Sequence, residues 1–545
     1  MLPCPGPVRK RAEGEPLYCC LSHPTCTHHT FDPKNGFSLE RRLSAQRVEI
    51  ACVAGDRVRA HSSRTAVKMA EDPKEETVEG GTLQKELGVF ELTMMGVGGI
   101  IGAGLFVLAG QAAGQYAGPA VILSFIIAGA CSLVYALCFA EFAAMLPTSG
   151  SAYSYAKISF GNLTGFMTGW ALIAEYAFAI SAVSVGWSGY VTGLLDVMGW
   201  GLPKAVTSGP LDFNENHELV FTGSVINLPA VLLIAVAVVV ICLGVVASAR
   251  FTSIAVAIKV TVVVIFIVVG IWFIEWENYS PFIPESPEFG KYGWTGIMRA
   301  ASTLLFAYIG FDAVTTAAGE TKEPARDLPL AIMLSLGIST LLYVLVAFVM
   351  LGLVSYTELN VPDPIAFAVR SGGPGLSWLV PGITLAVVVG LPGVVFVALF
   401  SITRILLIMA TDGMLPPIFK ELNSTFHSPV TGALVCGVAS ALLAGLFPIG
   451  VLAELVSIGT LLAFAIVCAG VVKMRNDAPE LKRPFEVPFS PYVPILGVVI
   501  AVAQIAFLSW AAWLRMLVWM SAGAVVWYMY GSTHAEPVQS YQRVE

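Results

Sequence analysis

The sequence predicts an all-α integral membrane protein of about twelve transmembrane helices, two of them broken in mid-span. Three observations predict it. Only 12% of the 545 residues are charged and 56% are hydrophobic, with a mean hydropathy of +0.77, whereas soluble domains carry about 25% charged residues. Uncharged runs of about 18 residues or more, enough to cross a bilayer, recur along the chain. Glycine-bearing stretches interrupt two of these runs at corresponding places, Gly98-Gly99-Ile100-Ile101-Gly102-Ala103-Gly104 and Tyr308-Ile309-Gly310-Phe311-Asp312.

The spans are expected near 92–114, 119–146, 163–193, 228–248, 251–275 and 296–319, then 329–354, 378–410, 430–447, 450–473, 492–510 and 513–530. The last boundary, near Ala511–Ala512, is the shortest. Orientation follows local Lys and Arg rather than the net charge of −7. With the N-terminus inside, the inner connections carry Lys157, Arg250, Lys322, Arg326, Lys420, Lys473, Arg475, Lys482 and Arg483. The outer ones carry mainly Lys204, Lys291 and Arg370 beside acids such as Asp212, Glu215 and Glu288. This is the positive-inside pattern, and it places both termini in the cytoplasm. The membrane expected for such a multi-pass protein is the cell (plasma) membrane.

Residues 1–86 form an N-terminal tail of another kind, polar and Arg-rich, without sustained hydrophobic period. It reads as disordered, or as sequence ahead of a start at Met69. Its run Cys19-Cys20-Leu21-Ser22-His23-Pro24-Thr25-Cys26-Thr27-His28-His29 offers zinc ligands, but the spacing matches no regular finger. No apolar h-region points to a cleaved signal, and Glu13, Glu15, Glu40 and Glu49 argue against a transit peptide. Five of the ten cysteines lie in this tail. Cys131, Cys138, Cys242, Cys436 and Cys468 lie in spans, where they behave as small apolar residues. The long outer segment 196–226, with its Gly, Pro and acidic content, reads as a partly ordered lid or a surface loop. There is no GxxxxGK[ST] phosphate loop, nucleophile–base pair or metal triad, so the chain is not expected to be an enzyme or to hold a cofactor or nucleic acid. Any transport would be secondary rather than ATP-driven.

The breaks carry the chemistry. Irregular backbone at membrane depth is tolerated only where protein covers it or where it lines a cavity. Two interrupted spans in matching positions point to a small-solute site between them. If the first span unwinds near Gly99–Gly102 and restarts, the restart offers amide donors and a positive dipole end to a carboxylate. The same glycines also suit close helix packing, since Gly98 and Gly102 fit a small-xxx-small pattern. In the sixth span, carbonyls ending the first half would accept from an ammonium group, with Phe306 or Phe311 closing one side. Together the breaks match a zwitterionic α-amino acid.

Three ionisable residues lie deep in spans: Glu175, Lys259 and Asp312. Asp or Lys costs about +2.5 to +3.5 kcal/mol at a helix centre, so such residues face the bundle interior, pair, or serve ion paths. A desolvated lysine gives up its proton readily, which would suit Lys259 to couple transport to protons. The alternative is a permanently paired structural lysine. Glu141, Arg299, Arg404 and Glu454 lie nearer span ends, where snorkelling is ordinary. Glu320 to Pro329 reads as an ion-paired inner loop.

With these residues in view, the sequence resembles the amino acid–polyamine–organocation superfamily, and within it the cationic amino acid transporter family and its bacterial-type permease relatives. The matching stretches are Gly99 to Phe106, Ala174-Glu175-Tyr176, Phe306 to Asp312, Glu320 to Pro329, and Arg404 followed by Met409-Ala410-Thr411-Asp412-Gly413-Met414-Leu415-Pro416. The resemblance runs from about Leu87 to the end of the twelfth span. It implies a five-plus-five inverted-repeat (LeuT-like) fold: residues 87–275 hold spans 1–5, 296–473 hold spans 6–10, and 490–530 hold the peripheral spans 11–12 before a tail, 531–545. It implies that backbone around Ile101, Gly102, Ala103 and Gly104 holds a substrate carboxylate, while Phe306, Ala307 and Ile309 hold the α-amine. Lys259 matches the lysine that replaces the second ion of sodium-driven relatives, implying proton coupling. Glu175 and Asp312 match members of a nearby polar network.

By the same resemblance, Leu391 falls near the position facing the substrate side chain. A bulky apolar residue there favours small neutral amino acids over arginine or lysine. The expected function is proton-coupled symport of small neutral L-amino acids, with no obligate partner subunit. A cationic transporter or exchanger, and a non-transporting amino acid sensor, remain the rival readings.

Overall fold

A computed structural model describes residues 77–78, 81–82 and 85–537, apart from 103, 214–218, 244, 287, 362, 374, 424–427 and 507–509. The Cys/His run of the tail lies outside the described residues, as does most of the expected tail. Two short strands, β1 (Thr77–Val78) and β2 (Gly81–Thr82), pair antiparallel ahead of the first helix.

Helix α1 (Val89–Ile100) starts at Gly88, whose N–H donates to the Glu91 carboxylate at 3.0 Å. It ends where expected: Ile101 caps it, Gly102 bends, and the chain restarts as a π-helical turn, Gly104–Leu108. This continues through α2 (Ala109–Ala112) and a second π turn, Ala113–Ala117, to Gly118–Ala120 and α3 (Val121–Met145). A short α4 (Ala152–Phe160) precedes α5 (Asn162–Val197), which is longer than the hydropathy pattern indicated. The outer segment that read as loop contains an antiparallel hairpin, β3 (Leu211–Phe213) with β4 (Leu219–Phe221). Its alternation is too short to stand out beside the spans.

Helices α6 (Leu228–Cys242) and α7 (Val245–Gly270) close the first half. The second begins with α8 (Gly293–Leu305), which gives way to a 3-10 turn at Phe306–Tyr308, a break at Ile309–Phe311, and a 3-10 helix at Asp312–Glu320. Helices α9 (Pro324–Leu353) and α10 (Pro364–Ser371) both open with proline at the first helical position, where its missing N–H costs nothing. Then come α11 (Leu379–Thr411), α12 (Val430–Leu446), α13 (Ile449–Asp477), α14 (Tyr492–Ala506), α15 (Trp510–Val526) and α16 (Ser532–His534).

Among the described residues, six segments are long and apolar enough to cross a membrane by length and composition: Ala109–Met145, Asn162–Asp196, Thr252–Phe273, Pro324–Leu353, Leu379–Thr411 and Ile458–Asp477. Shorter apolar helices accompany them, α1 among them, because breaks and turns divide the hydrophobic runs. The protein is an integral, multi-pass, helical membrane protein. Its packing pairs one half with the other: α3 lies against α9, α5 against α11, and α6 against α12. A short helix follows each of α3 and α9, nine residues in α4 and eight in α10. Helix α1 sits inside this frame, against α7, α9 and α11.

Candidate functional site

The two breaks meet. A Cβ on Gly310 would lie 2.7 Å from the Gly99 carbonyl carbon and 3.1 Å from the Ile100 nitrogen. One on Gly104 would lie 2.3 Å from the Ala307 Cβ. Glycine is required at both because backbone faces backbone or a methyl group, with no flexible side chain to give way. Gly310 adds a second reason, its φ of +124°, which lies where side-chain-bearing residues are strained. Close packing and the interruption of the helices therefore coincide at these glycines.

Between the breaks lies a cavity of about 90 Å³, room for several waters or one small solute. Gly99, Gly102 and Gly104 line it from the first broken span, and Ala307, Ile309 and Gly310 from the second. Across from them α5 presents Glu175 and Tyr176, with Ala179, Ala182 and Val183 above. Helix α11 contributes Val394, Val397 and Ala398, and α13 contributes Val456. The spacing 394, 397, 398 is one stripe of an α-helix. Leu391 is buried on α11 but is not among these lining residues; the wall begins one turn further along. The resemblance put Leu391 one turn from this wall because the register of one helix does not fix how deep the break sits.

Ile101 is buried at the C-terminus of α1, its carbonyl facing Lys259 rather than the cavity. Ala103 lies outside the described residues. Phe306 lies in the 3-10 turn, its side chain outside the description. Phe311 is buried away from the cavity, its ring 5.6 Å from Phe139 and 5.2 Å from Phe464. The structure thus places Phe311 in an aromatic core cluster instead of over the site.

Lys259 is fully buried. Its Nζ donates to the carbonyls of Ile101 and, at 3.3 Å, Gly98, groups that the unwound helix leaves without intrahelical partners. Gly390 makes room for its stem: a Cβ there would come within 2.8 Å of Lys259 Cδ. Asp312 Oδ2 accepts from the Tyr176 hydroxyl at 2.6 Å and Oδ1 from the Gly310 N–H at 3.2 Å. The carboxylate therefore ties the second break to α5. Glu175 is 1% exposed, and neither of its carboxylate oxygens has a hydrogen-bond partner among the described residues. Neighbouring Thr460 gives its hydroxyl to the Val456 carbonyl at 3.2 Å. An unsatisfied acceptor on a cavity wall needs a partner from the cavity: water, a proton or a ligand donor.

Tyr343 on α9 was not singled out from sequence. Its hydroxyl lies 2.7 Å from the Ile100 carbonyl and 2.8 Å from that of Ala307, so one donor serves both half-helix ends. A tyrosine within an apolar run carries no signal of this. Tyr343→Phe is expected to leave a buried carbonyl unpaired at a cost of about 1–3 kcal/mol. Thermal unfolding of the purified protein would read this as a lower midpoint; an unchanged midpoint would mean that the carbonyls find another donor.

Two broken helices crossing backbone to backbone, with a chamber at the crossing and a buried lysine on the freed carbonyls, mark a polytopic helical membrane protein. The chain belongs to the amino acid permease family of membrane transporters, within the amino acid–polyamine–organocation superfamily: the profile described as "Amino acid permease" matches residues 87–533. It is 38% identical to a branched-chain amino acid permease of Bacillus subtilis over 456 residues, 84% of this chain and 95% of that one. It is 37% identical to a methylthioribose transporter of the same organism over 455 residues, 83% and 95% of the two chains. A vacuolar cationic amino acid transporter of Arabidopsis thaliana is 35% identical over 401 residues, 73% of this chain and 64% of that one.

Proposed function

We propose that this protein is a secondary active transporter that couples small neutral L-amino acids to protons. The observation that carries this reading is the meeting of the two breaks around the cavity, with Lys259 on the carbonyls of the first. The substrate carboxylate binds at the restart of the first span, around Ile101, Gly102, Ala103 and Gly104. The α-amine binds the carbonyl ends near Phe306, Ala307 and Ile309. Backbone groups thereby compensate both charges of the zwitterion without a charged side chain. The aliphatic wall of Val394, Val397, Ala398 and Val456 takes over the selectivity role expected of Leu391 and favours an apolar side chain.

Coupling runs through Lys259, and Glu175 and Asp312 form a separate polar group beside the cavity. While protonated, the lysine holds the Gly98 and Ile101 carbonyls through charge-assisted bonds. Loss of the proton leaves neutral bonds roughly half as strong, and the break is freer to move. Twelve spans in a five-plus-five inverted repeat (87–275 and 296–473, with 490–530 peripheral) are supported by the pairing of α3 with α9, α5 with α11 and α6 with α12. The matching short helices α4 and α10 support it too. The positive-inside pattern supports cytoplasmic termini, and we assign the protein to the plasma membrane.

The unpartnered Glu175 carboxylate favours one second reading, a substrate whose side group brings hydrogen-bond donors, such as a cationic amino acid or a hydroxyl-bearing sugar. Binding of labelled alanine to purified protein, with leucine, arginine and methylthioribose as competitors, separates these. The expected order places alanine and leucine ahead of arginine and methylthioribose. Arginine or methylthioribose competing best would overturn the neutral preference and leave the site in place. In the same assay Ile309→Asp is expected to abolish binding; unchanged affinity would mean the site lies elsewhere.

A further inference from the structure

We propose that Glu320 and Arg404 form the inner gate of the transport path, at the foot of a buried polar row that descends from the cavity. The inference rests on the reading of the chain as a transporter that opens alternately to the two sides. Five groups of the 3-10 helix Asp312–Glu320 find polar partners on neighbouring elements. Asp312 takes the Tyr176 hydroxyl beside the cavity. Thr315 bonds Ser151 at 2.7 Å, and Thr316 bonds Ser401 on α11 at 3.1 Å. Gly319 N–H donates to Ser149 at 2.8 Å. The row ends at Glu320 Oε1, 2.7 Å from Arg404 Nη2 on α11. The threonines, serines, Glu320 and Arg404 are all essentially inaccessible to solvent. Polar side chains in a membrane core are costly and commonly line ion or solute paths.

The pair corrects the sequence expectation for Arg404. It does not snorkel to an interface; it is 1% exposed, with its guanidinium carbon 3.8 Å over the Phe400 ring. Nor is the pair fully satisfied. Arg404 Nε and Glu320 Oε2 both lack hydrogen-bond partners among the described residues. A buried ion pair with unmet donors and acceptors gains little over its desolvation cost. Water entering beside it would satisfy both groups and favour separation, which is the property a gate needs.

The pair also joins the pieces that must part. The Glu320 carbonyl accepts from the Glu86 and Leu87 amides, each at 3.0 Å, and Lys322 N–H donates back to the Leu87 carbonyl at 3.0 Å. The lead into α1 is therefore stitched to the end of the second broken span. Arg404 holds both to α11, at the end of the bundle that carries Lys157, Lys322 and Lys420. Breaking the ion pair would remove the charged tie of both broken spans to α11 and leave the weaker neutral Thr316–Ser401 bond.

The test uses a reporter, Thr316→Cys, in the full-length protein with its native cysteines replaced by serine. A membrane-impermeant thiol reagent is applied from the inner face of inside-out vesicles, with the ion pair intact or removed by Glu320→Gln with Arg404→Met. Removing both charges avoids leaving one of them buried alone. With alanine binding retained, labelling is expected to quicken at least tenfold when the pair is absent. An unchanged rate with binding retained would overturn the proposal and make the pair a structural tie. If the double variant does not fold, Arg404→Lys, which keeps the charge but loses the planar fork, is expected to quicken labelling severalfold, and no change there would equally overturn it. Failure of the transport reading itself would appear separately, as wild-type protein that binds alanine without moving it.

Discussion

Replacing Lys259 by alanine is expected to reduce concentrative amino acid uptake by at least tenfold while leaving a measurable exchange of substrate across the membrane. Two effects add. The carbonyls of Gly98 and Ile101 lose their donor, a loss of about 1–3 kcal/mol for each buried group left unpaired. The void left by the stem, beside Gly390, adds to it. Exchange without a gradient needs only that the site still binds and reorients; accumulation needs the proton. Comparing uptake under an inward proton gradient with counterflow of labelled alanine separates the two. Undiminished accumulation in Lys259→Ala would remove this residue from coupling, and loss of both activities would assign it a structural role alone.

Gly310→Ala is expected to weaken alanine binding at least a hundredfold, or to prevent accumulation of folded protein. The added methyl group would meet Gly99 and Ile100 backbone atoms at 2.7–3.1 Å, at a φ of +124° that alanine rarely adopts. Relief would require moving the two breaks apart, which are the walls of the cavity. Gly337→Ala on α9 is the matched control. A Cβ there meets nothing within 4 Å, and alanine gains up to about 1 kcal/mol of helix propensity. Ligand binding and thermal unfolding of the two variants side by side read the difference. Normal binding by Gly310→Ala would show that the breaks do not need to touch.

What the sequence made legible followed from the cost of exposing backbone to lipid. Long uncharged runs had to be helices, and glycines within two of them had to mark interruptions, so α1 ends at Ile100 and α8 gives way at Phe306. Lys259 and Asp312 were legible for the same reason, since a charge at that depth must face a partner. The choice of partner was not legible. Lys259 bonds two carbonyls 158 and 161 residues away, and Asp312 bonds a tyrosine 136 residues back. Tyr343 had no such signature, because a tyrosine costs little in an apolar run until its hydroxyl is buried.

The errors have a common cause in depth along a helix axis. Arg404 and Glu141 read as residues that snorkel near span ends, yet both are 1% exposed. Arg404 pairs with Glu320, and Glu141 accepts from Arg475 at 2.6 Å and from the Val487 N–H at 2.7 Å. Hydropathy locates a span to within a turn or so, whereas burial depends on what lies beside that turn. The same uncertainty put Leu391 rather than Val394 and Val397 at the cavity, and Phe311 over the site rather than in the cluster with Phe139 and Phe464.

The most direct test of the central claim is accumulation of labelled alanine in proteoliposomes under an inward proton gradient, in the absence of sodium, with the gradient collapsed as reference. The account predicts accumulation above equilibrium that disappears when the gradient is removed. Alanine that only equilibrates, or that accumulates only when sodium is added, would contradict proton coupling through Lys259.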